Sequence, residues 1–237
     1  ECREAIFGKD HRTFGKEETV KMDMASSALH VDVLRQIFGD AVQENISLAP
    51  YTSARIGGPA DVLLTVKSAD EFAEAMKVIW ENDFPYYILG GGSNVLVSDL
   101  GLRGVVVLNR AKEVRFEGGD QPTVWCEAGV IFSNLANRCA SKGLAGLEWA
   151  ATVPGTVGGA VYGNAGAFGG DVSMNLIWAD VLTKNGRERM SVEQMGYGYR
   201  TSVLKRGEIH AIVLSALLRL KNSSKEEVSV KIEQFSE

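Results

Sequence analysis

Apolar positions along the chain change period several times, and each change marks an element. Glu1 to Asp23 is charged and has no clear period, so residues 1–24 are expected to form a mobile arm. Val33, Leu34, Ile37 and Phe38 then fall on one stripe, which predicts a short helix from Ser26 or Ser27 to a stop at Gly39. Ile46 to Leu48 leads into a loop over Tyr51 to Asp61, with a sharp corner at Gly57-Gly58-Pro59. Val62 to Val66 has the continuous apolar run of a buried strand, and Ser68 with Glu71 has the spacing of a capping box. Phe72, Ala75, Met76 and Ile79 give the next helix an inward stripe, so strand and helix form one crossover unit on a sheet. Strands follow at Pro85 to Leu89, Val95 to Val97 and Gly104 to Leu108, the first two separated by Gly90-Gly91-Gly92-Ser93-Asn94.

The alternation continues in the second half. Thr123 to Ala128 is a strand, Ile131, Leu135, Ala136 and Cys139 mark a helix ended by Gly143, and strands are expected at Leu176 to Thr183 and Ile209 to Leu220. Between the last two, Ser191 to Lys205 is a polar loop after one helical turn, and Lys221 to Glu237 is a charged tail.

Composition narrows the class. A chain of 237 residues, 45% hydrophobic and 23% charged, is an ordinary globular protein of one or two domains. Its net charge of −5 argues against a nucleic-acid binder, and no apolar run approaches a membrane span, so no membrane insertion is expected. Cys2, Cys126 and Cys139 are odd in number and lack CxxC spacing, which indicates neither a disulfide framework nor a metal site. Their surroundings favour buried free thiols at Cys126 and Cys139, and hence a reducing, cytoplasmic location. His11, His30 and His210 are isolated from one another and read as surface or packing residues. The chain starts without Met and without a signal peptide, a start that looks like a cut.

Candidate chemistry lies in the glycines. Gly143 to Asp171 holds nine of the 26, with Leu147, Trp149, Val153, Val157 and Val161 as core anchors. Such density predicts an ordered loop bed whose backbone can meet an anionic or flat ligand, the alternative being a knot of tight turns with no ligand. Gly90 to Asn94 follows a strand as a dinucleotide loop would, but a strand pattern and not a helix comes next, so a Rossmann reading fails. Thr52 and Arg55 offer a hydroxyl and a forked cation for a phosphate. Tyr197, Tyr199, Arg200, Ser202 and Lys205 crowd one loop, where the Arg200 guanidinium is suited to stabilise a developing oxyanion.

Taken in order, Asn45-x-Ser47, Arg55-Ile-Gly-Gly-Pro-Ala-Asp61, Leu89-Gly-Gly-Gly-Ser-Asn-Val-Leu-Val97, Gly146-Leu-Glu-Trp-Ala150, Pro154-Gly-Thr-Val-Gly-Gly-Ala160, Asn164-Ala-Gly-Ala-Phe-Gly-Gly170 and Tyr199-Arg-Thr-Ser202 closely resemble the UDP-N-acetylenolpyruvoylglucosamine reductases, the MurB family. The resemblance runs from about Leu29 to about Lys221. It implies an α+β, two-lobed FAD-binding fold of the vanillyl-alcohol oxidase type, with a first lobe over residues 25–108 and a second over 109–221. Residues 222–237 would begin a third, substrate-covering domain that is missing. Three segments match flavin-contacting positions: Thr52, Arg55, Gly57 and Gly58; Gly90, Gly91, Gly92, Ser93, Asn94, Val95 and Leu96; and Pro154, Gly155, Thr156, Gly158, Gly159, Ala160, Gly163, Asn164 and Gly166.

The chemistry implied is hydride transfer from NADPH to FAD and on to C3 of an enolpyruvyl ether on a UDP-sugar, in peptidoglycan synthesis. Arg200 would stabilise the enolate with a Glu near the family's C-terminus, Tyr199 would contact substrate, and a Ser in a Gly-Ser-Phe-Phe-Lys-Asn-Pro-like motif would protonate C2. That motif does not occur after Leu220, where Ser223, Ser224, Ser229 and Ser236 have other surroundings and Glu237 ends the sequence. The resemblance therefore implies a C-terminally truncated reductase with impaired turnover. Another flavoenzyme of this fold, or a non-catalytic FAD-binding fragment, stays open; neither glycine segment carries a His or Cys for covalent flavin attachment, and no protein partner is inferable.

Overall fold

In a computed structural model, which describes residues 24–235, helix α1 (Met24–Phe38) stops at Gly39, whose φ of +52° suits glycine. It begins two or three residues before the expected start at Ser26 or Ser27. The arm expected over residues 1–24 lies, Met24 apart, outside the described residues, as do Cys2, His11, Ser236 and Glu237. Strand β1 (Val42–Ser47) was not anticipated beyond Ile46, because it is an edge strand on which only Val42 is buried. β2 (Pro59–Val66) pairs antiparallel with it, α2 (Ala69–Glu81) follows, and β3 (Tyr86–Leu89) and β4 (Leu102–Asn109) complete a four-stranded sheet in the order β1-β2-β4-β3. β4 runs parallel to both β2 and β3. Strands buried on two faces need continuous apolar runs. Accordingly Val62, Leu64, Val66, Val105 and Val107 face α2, while Leu63, Val106 and Leu108 pack the other side with Leu48, Leu89 and Val97.

The strand expected at Val95 to Val97 is absent. Val97 turns inward as a plug against Gly57, Leu96 stands 79% exposed, and Ser98 accepts the amides of Gly58 and Gly101 in a turn. The Ser68 cap is present: its Oγ accepts from Glu71 N at 3.1 Å, but the Glu71 carboxylate reaches back to Lys67 N at 2.7 Å, one residue before the cap.

The second sheet is wholly antiparallel. β5 (Val114–Glu117) and β6 (Thr123–Glu127) form a hairpin, followed by α3 (Phe132–Ala140), the short β7 (Leu144–Ala145) and α4 (Val157–Gly163). A two-residue-strand hairpin, β8 (Gly166–Ala167) and β9 (Gly170–Asp171), leads through α5 (Val172–Asn175) to β10 (Leu176–Thr183), β11 (Gly186–Ser191) and β12 (Ile212–Arg219). The sheet order is β11-β10-β12-β6-β5. β5 and β11 escaped the sequence reading for the same reason as β1: an edge strand buries too few side chains to show a period. Nor is the glycine segment all loop, since α4 occupies its middle. The charged tail also contains β13 (Lys221–Asn222) and α6 (Lys225–Gln234), which Ser224 caps through Glu227 N and Lys231 ties to the buried Glu148 at 3.3 Å.

The two lobes share α2. One face of that helix meets the first sheet, and the same cluster includes Leu182, Ile212 and Leu214 from the second. The rest of the second sheet packs its other face on α3 and α4 through Val124, Cys126, Ala179, Val181, Ala216 and Leu218. Cys126 and Cys139 are indeed buried free thiols; desolvation pushes Cys139 up to about 12 and raises Cys126 as well.

A carboxylate joins the lobes. Glu127, 4% exposed, accepts the Ala69 amide at the start of α2 with Oε1 and the Glu113 amide with Oε2, both at 2.7 Å. Glu127→Ala would orphan two donors at roughly 1–3 kcal/mol each. The expected loss of unfolding free energy is therefore at least about 2 kcal/mol, read from the urea midpoint. A midpoint equal to that of the parent chain would show that water replaces the carboxylate freely.

Candidate cofactor and active site

Parallel strands present their carboxyl ends to ligands, and β3 and β4 end together beside the Gly90 loop. Gly92, at φ +66°, accepts Ser53 N with its carbonyl, and a Cβ there would lie 2.0 Å from Tyr51 O. This glycine is required by the protein's own packing. So are Gly58, where a Cβ would lie 2.0 Å from Asp99 O, and Gly158, where it would lie 2.8 Å from the Ala128 Cβ.

Other glycines bring the two lobes face to face. A Cβ on Gly90 would fall 2.5 Å from Thr156 Oγ1, one on Gly91 3.2 Å from Gly155 Cα, and one on Gly155 2.9 Å from Ser93 Oγ. At this junction the backbone amides of Gly91, Gly92, Ser93 and Asn94, and the side chains of Ser93 and Asn94, have no hydrogen-bond partner among the described residues. Thr156 Oγ1 is likewise without a partner on a side chain only 6% exposed. Past the junction, Gly159 and Gly163 line an open side of α4: a Cβ on Gly159 meets only Thr156 Oγ1 at 3.9 Å, and one on Gly163 meets nothing.

Several expected contacts are instead engaged with the protein. Thr52 is buried and its Oγ1 donates to Ile56 O at 2.8 Å. The amides of Val157 and Gly158 in the first turn of α4 go to Val130 O and Ala128 O, both at 2.8 Å, so they are not free for a phosphate. Ala160 faces the core and Val95 is packed under its loop. Gly57 abuts Val97, while Pro154 and Leu96 are exposed. Asn164 is buried at φ +47°, with Nδ2 donating to Gly198 O at 3.1 Å and Oδ1 accepting from Ser173 N at 3.1 Å.

That Asn164 contact is one of four that hold the Tyr-Arg loop on the far end of α4. The Tyr197 hydroxyl donates to Val161 O at 2.9 Å, and burial raises its pKa so that it stays a donor. Ser202 Oγ donates to Tyr162 O at 2.6 Å, and Arg200 Nη2 to Gly166 O at 2.5 Å. Gly198 and Thr201 exchange both backbone hydrogen bonds across Tyr199-Arg200, and Lys205 Nζ holds Arg200 O at 2.8 Å. Arg200 is thereby kept at φ +56°, while Tyr199, 93% exposed, is held by nothing.

Left-handed backbone costs a side chain other than Asn or Asp about 1–2 kcal/mol. Among the described residues only Arg55, Phe168 and Arg200 accept it, at φ +56°, +50° and +56°, and all three sit in these loops. Strain concentrated at polar and aromatic loop tips is a mark of a functional site.

A cleft of about 360 Å³ opens beside Gly91, lined by Pro50, Tyr51, Thr52, Ser53, Arg55 and Arg110. Arg110 was not singled out from the sequence, though its place directly after a parallel strand was a usable signal. Its Nη1 donates to Gly90 O at 2.7 Å. A shallow cavity of about 570 Å³ lined by Asp120, Gln121 and residues 219–222 contains none of these groups.

A model of the FAD binding domain matches residues 60–190, which include strands of both sheets and both glycine loops. The chain is 41% identical over 207 residues to the UDP-N-acetylenolpyruvoylglucosamine reductase of Rubrobacter xylanophilus, covering 87% of this chain and 69% of that one. It is 44% identical over 189 residues to the Bacillus subtilis enzyme of the same name. The chain belongs to the UDP-N-acetylenolpyruvoylglucosamine reductase family. The structure of the Thermus caldophilus member, MurB, superposes with a TM-score of 0.69 at 33% identity, over 81% of this chain and 66% of that one. An alkyldihydroxyacetonephosphate synthase at 16% identity, TM-score 0.60, shows that the same two-lobed fold extends beyond the MurB family. The chain spans 61% of the length of the Bacillus subtilis relative and 63% of the Bacillus velezensis one. Among the described residues no helix is long and apolar enough to cross a membrane.

Proposed function

We propose that this chain binds FAD non-covalently in the junction between its lobes. In the whole protein, the same site reduces UDP-N-acetylglucosamine enolpyruvate to UDP-N-acetylmuramate with NADPH in the cytoplasm, for peptidoglycan synthesis. The observation that carries the reading is the junction itself: two glycine loops from different lobes touch at Gly91 and Gly155, while the amides of Gly91 to Asn94, the side chains of Ser93 and Asn94, and Thr156 Oγ1 have no hydrogen-bond partner among the described residues. Donors that no protein group engages, beside bare backbone, fit a cofactor that supplies phosphate oxygens and a flat ring. FAD, when bound, supplies hydride chemistry that no side chain can.

The protein's own part is positional and electrostatic. The amides of Gly91 to Asn94 would meet phosphate oxygens, and the open Gly159 and Gly163 face of α4 would let a ring lie against backbone. Arg200 sits at the end of α4, roughly 10 Å along the helix from Thr156 by its rise per residue. Its guanidinium, held by a carbonyl and not by a carboxylate, keeps donors for a substrate carboxylate on which charge develops. Tyr199 at the same turn is the exposed substrate-facing candidate.

The purified chain is expected to show flavin absorption, and acid precipitation should leave the colour in the supernatant. Colour retained in the pellet would mean covalent attachment. No uptake from excess FAD would sink the reading.

A further inference from the structure

The hydrogen bond that orients Arg200 ends on a small element. Its Nη2 donates to Gly166 O, and Gly166 lies on β8, which pairs with β9 only through Gly166 with Asp171 and Ala167 with Gly170. A hairpin this short does not hold itself in water. At its base Gly170 lies against the Trp149 indole, where a Cβ would be 2.4 Å from Cδ1, and Val172 N donates to Ala165 O at 3.0 Å. Its tip is Phe168-Gly169, at φ +50° and +77°. Phe168 is 54% exposed, and its ring stacks on that of Phe235 with centroids 4.7 Å apart and planes 11° off parallel. The attraction in such a pair is of the same order as the cost of left-handed backbone, so the stack offsets the strain at the tip. Phe235 is half-buried and closes α6, whose place is fixed independently by the buried Val228, the Ser224 cap and the Lys231 contact to Glu148. Glu148 and Trp149 share one helical turn over residues 148–150. The hairpin thus rests at one end on Trp149 and at the other on Phe235, and α6 and that turn are tied to each other.

We propose that the Phe168–Phe235 stack positions Arg200: it holds the β8–β9 hairpin where Gly166 O fixes the guanidinium, so that α6 and the Tyr-Arg loop keep one relative position. Both phenylalanines are positioning residues that act through Gly166 O. A displacement of α6 therefore reaches Arg200 through a single ring contact. Arg200 is itself at φ +56°, a backbone conformation that persists only where its surroundings hold it. The consequence for catalysis rests on the role proposed for Arg200; the mechanical coupling does not.

Nuclear magnetic resonance of the arginine side chains in the purified chain, with the Arg200 Nε signal assigned by its absence from Arg200→Lys, reads the guanidinium directly. Hydrogen exchange reads the hairpin. Phe235→Ala is expected to shift or broaden the Arg200 signal and to speed exchange over residues 165–172 and 198–201 by about two- to tenfold, the range for one lost aromatic pair. The β10–β11 hairpin should exchange as before, and Phe235→Tyr, which keeps the stack, should match the parent. An Arg200 signal unmoved by Phe235→Ala would overturn the proposal. Faster exchange across the core strands as well would also overturn it, because the stack would then be packing like any other. Should Phe235→Ala fail to fold, Phe168→Leu removes the stack, leaves α6 intact and is held to the same outcomes. In a chimera that adds the unmatched part of the Bacillus subtilis relative, Phe168→Leu should slow flavin reoxidation by saturating enolpyruvyl substrate several-fold, with KM and flavin reduction by NADPH unchanged. An equal loss in both half-reactions would refute the positioning role. Unchanged reoxidation in Arg200→Lys is a different result: it removes the Arg200 reading, and the coupling is then decided by the arginine spectrum.

Discussion

Arg200→Lys is expected to lower reduction of the enolpyruvyl substrate by about 10²–10³-fold, the usual loss for one oxyanion-stabilising donor. The measurement belongs in a chimera that adds the unmatched part of the Bacillus subtilis relative to this chain. Flavin reduction by NADPH should keep its rate, since it places no charge on the substrate carboxylate. Lys preserves the charge but not the planar fork, and it cannot hold Gly166 O and a carboxylate at once as Arg can. Stability should change little, because both residues bear the same strain at φ +56°. Arg200→Gly supplies the complement: strain relief offsets the lost hydrogen bond, so its melting temperature should match the parent while substrate reduction falls as far or further. Stopped-flow reoxidation of the flavin by the enolpyruvyl substrate separates the two steps. Equal reoxidation rates in parent and Arg200→Lys would remove Arg200 from the mechanism.

The second large effect divides the glycines. Gly92→Ala puts a Cβ 2.0 Å from Tyr51 O on backbone at φ +66°. Left-handed strain of about 1–2 kcal/mol and overpacking of about 1–3 kcal/mol add to a loss of roughly 2–5 kcal/mol of fold stability. At Gly159, on ordinary helical backbone, an added Cβ meets nothing beyond its own helix backbone closer than Thr156 Oγ1 at 3.9 Å, so the expected cost of Gly159→Val to the fold is within about 1 kcal/mol. Its branched side chain would stand on the face of α4 proposed to receive the flavin ring, and FAD affinity should fall by an order of magnitude or more, about 1.4 kcal/mol per tenfold. Denaturant midpoints and flavin titration of both variants decide the matter. A Gly159→Val chain that binds FAD like the parent would leave that glycine with no ligand-facing role, whatever Gly92→Ala does.

Only coordinates separate these two glycines. Along the chain both are glycines in a glycine-rich motif, and nothing local tells that one faces Tyr51 O and the other open space. Asn164 and Thr52 follow the same pattern: their amide and hydroxyl suggested ligand contacts, and the fold uses them to pin the Tyr-Arg loop and to close the Ile56 turn. Arg110 and Glu127 went unread because their meaning depends on neighbours 20 and 58 residues away in sequence.

What the sequence determined by itself are the parts whose physics is local. Strands β2 and β4 are apolar throughout because both faces are buried, α2 shows its stripe and cap within a single window, and the three motif loops carry glycines that any fold must accommodate at a turn. Family, cofactor class and Arg200 as a candidate followed from those loops. The tertiary structure decided the rest. Strands β1, β5 and β11 exist because a partner strand supplies their hydrogen bonds, not because their own side chains alternate. In α6 only Val228 is buried, and its place against the second lobe depends on Glu148, 83 residues upstream of Lys231. The site is likewise a product of topology. Gly91 and Gly155 lie 64 positions apart in a chain that shows no link between them, and they meet only because α2 and Glu127 fix two sheets at one separation.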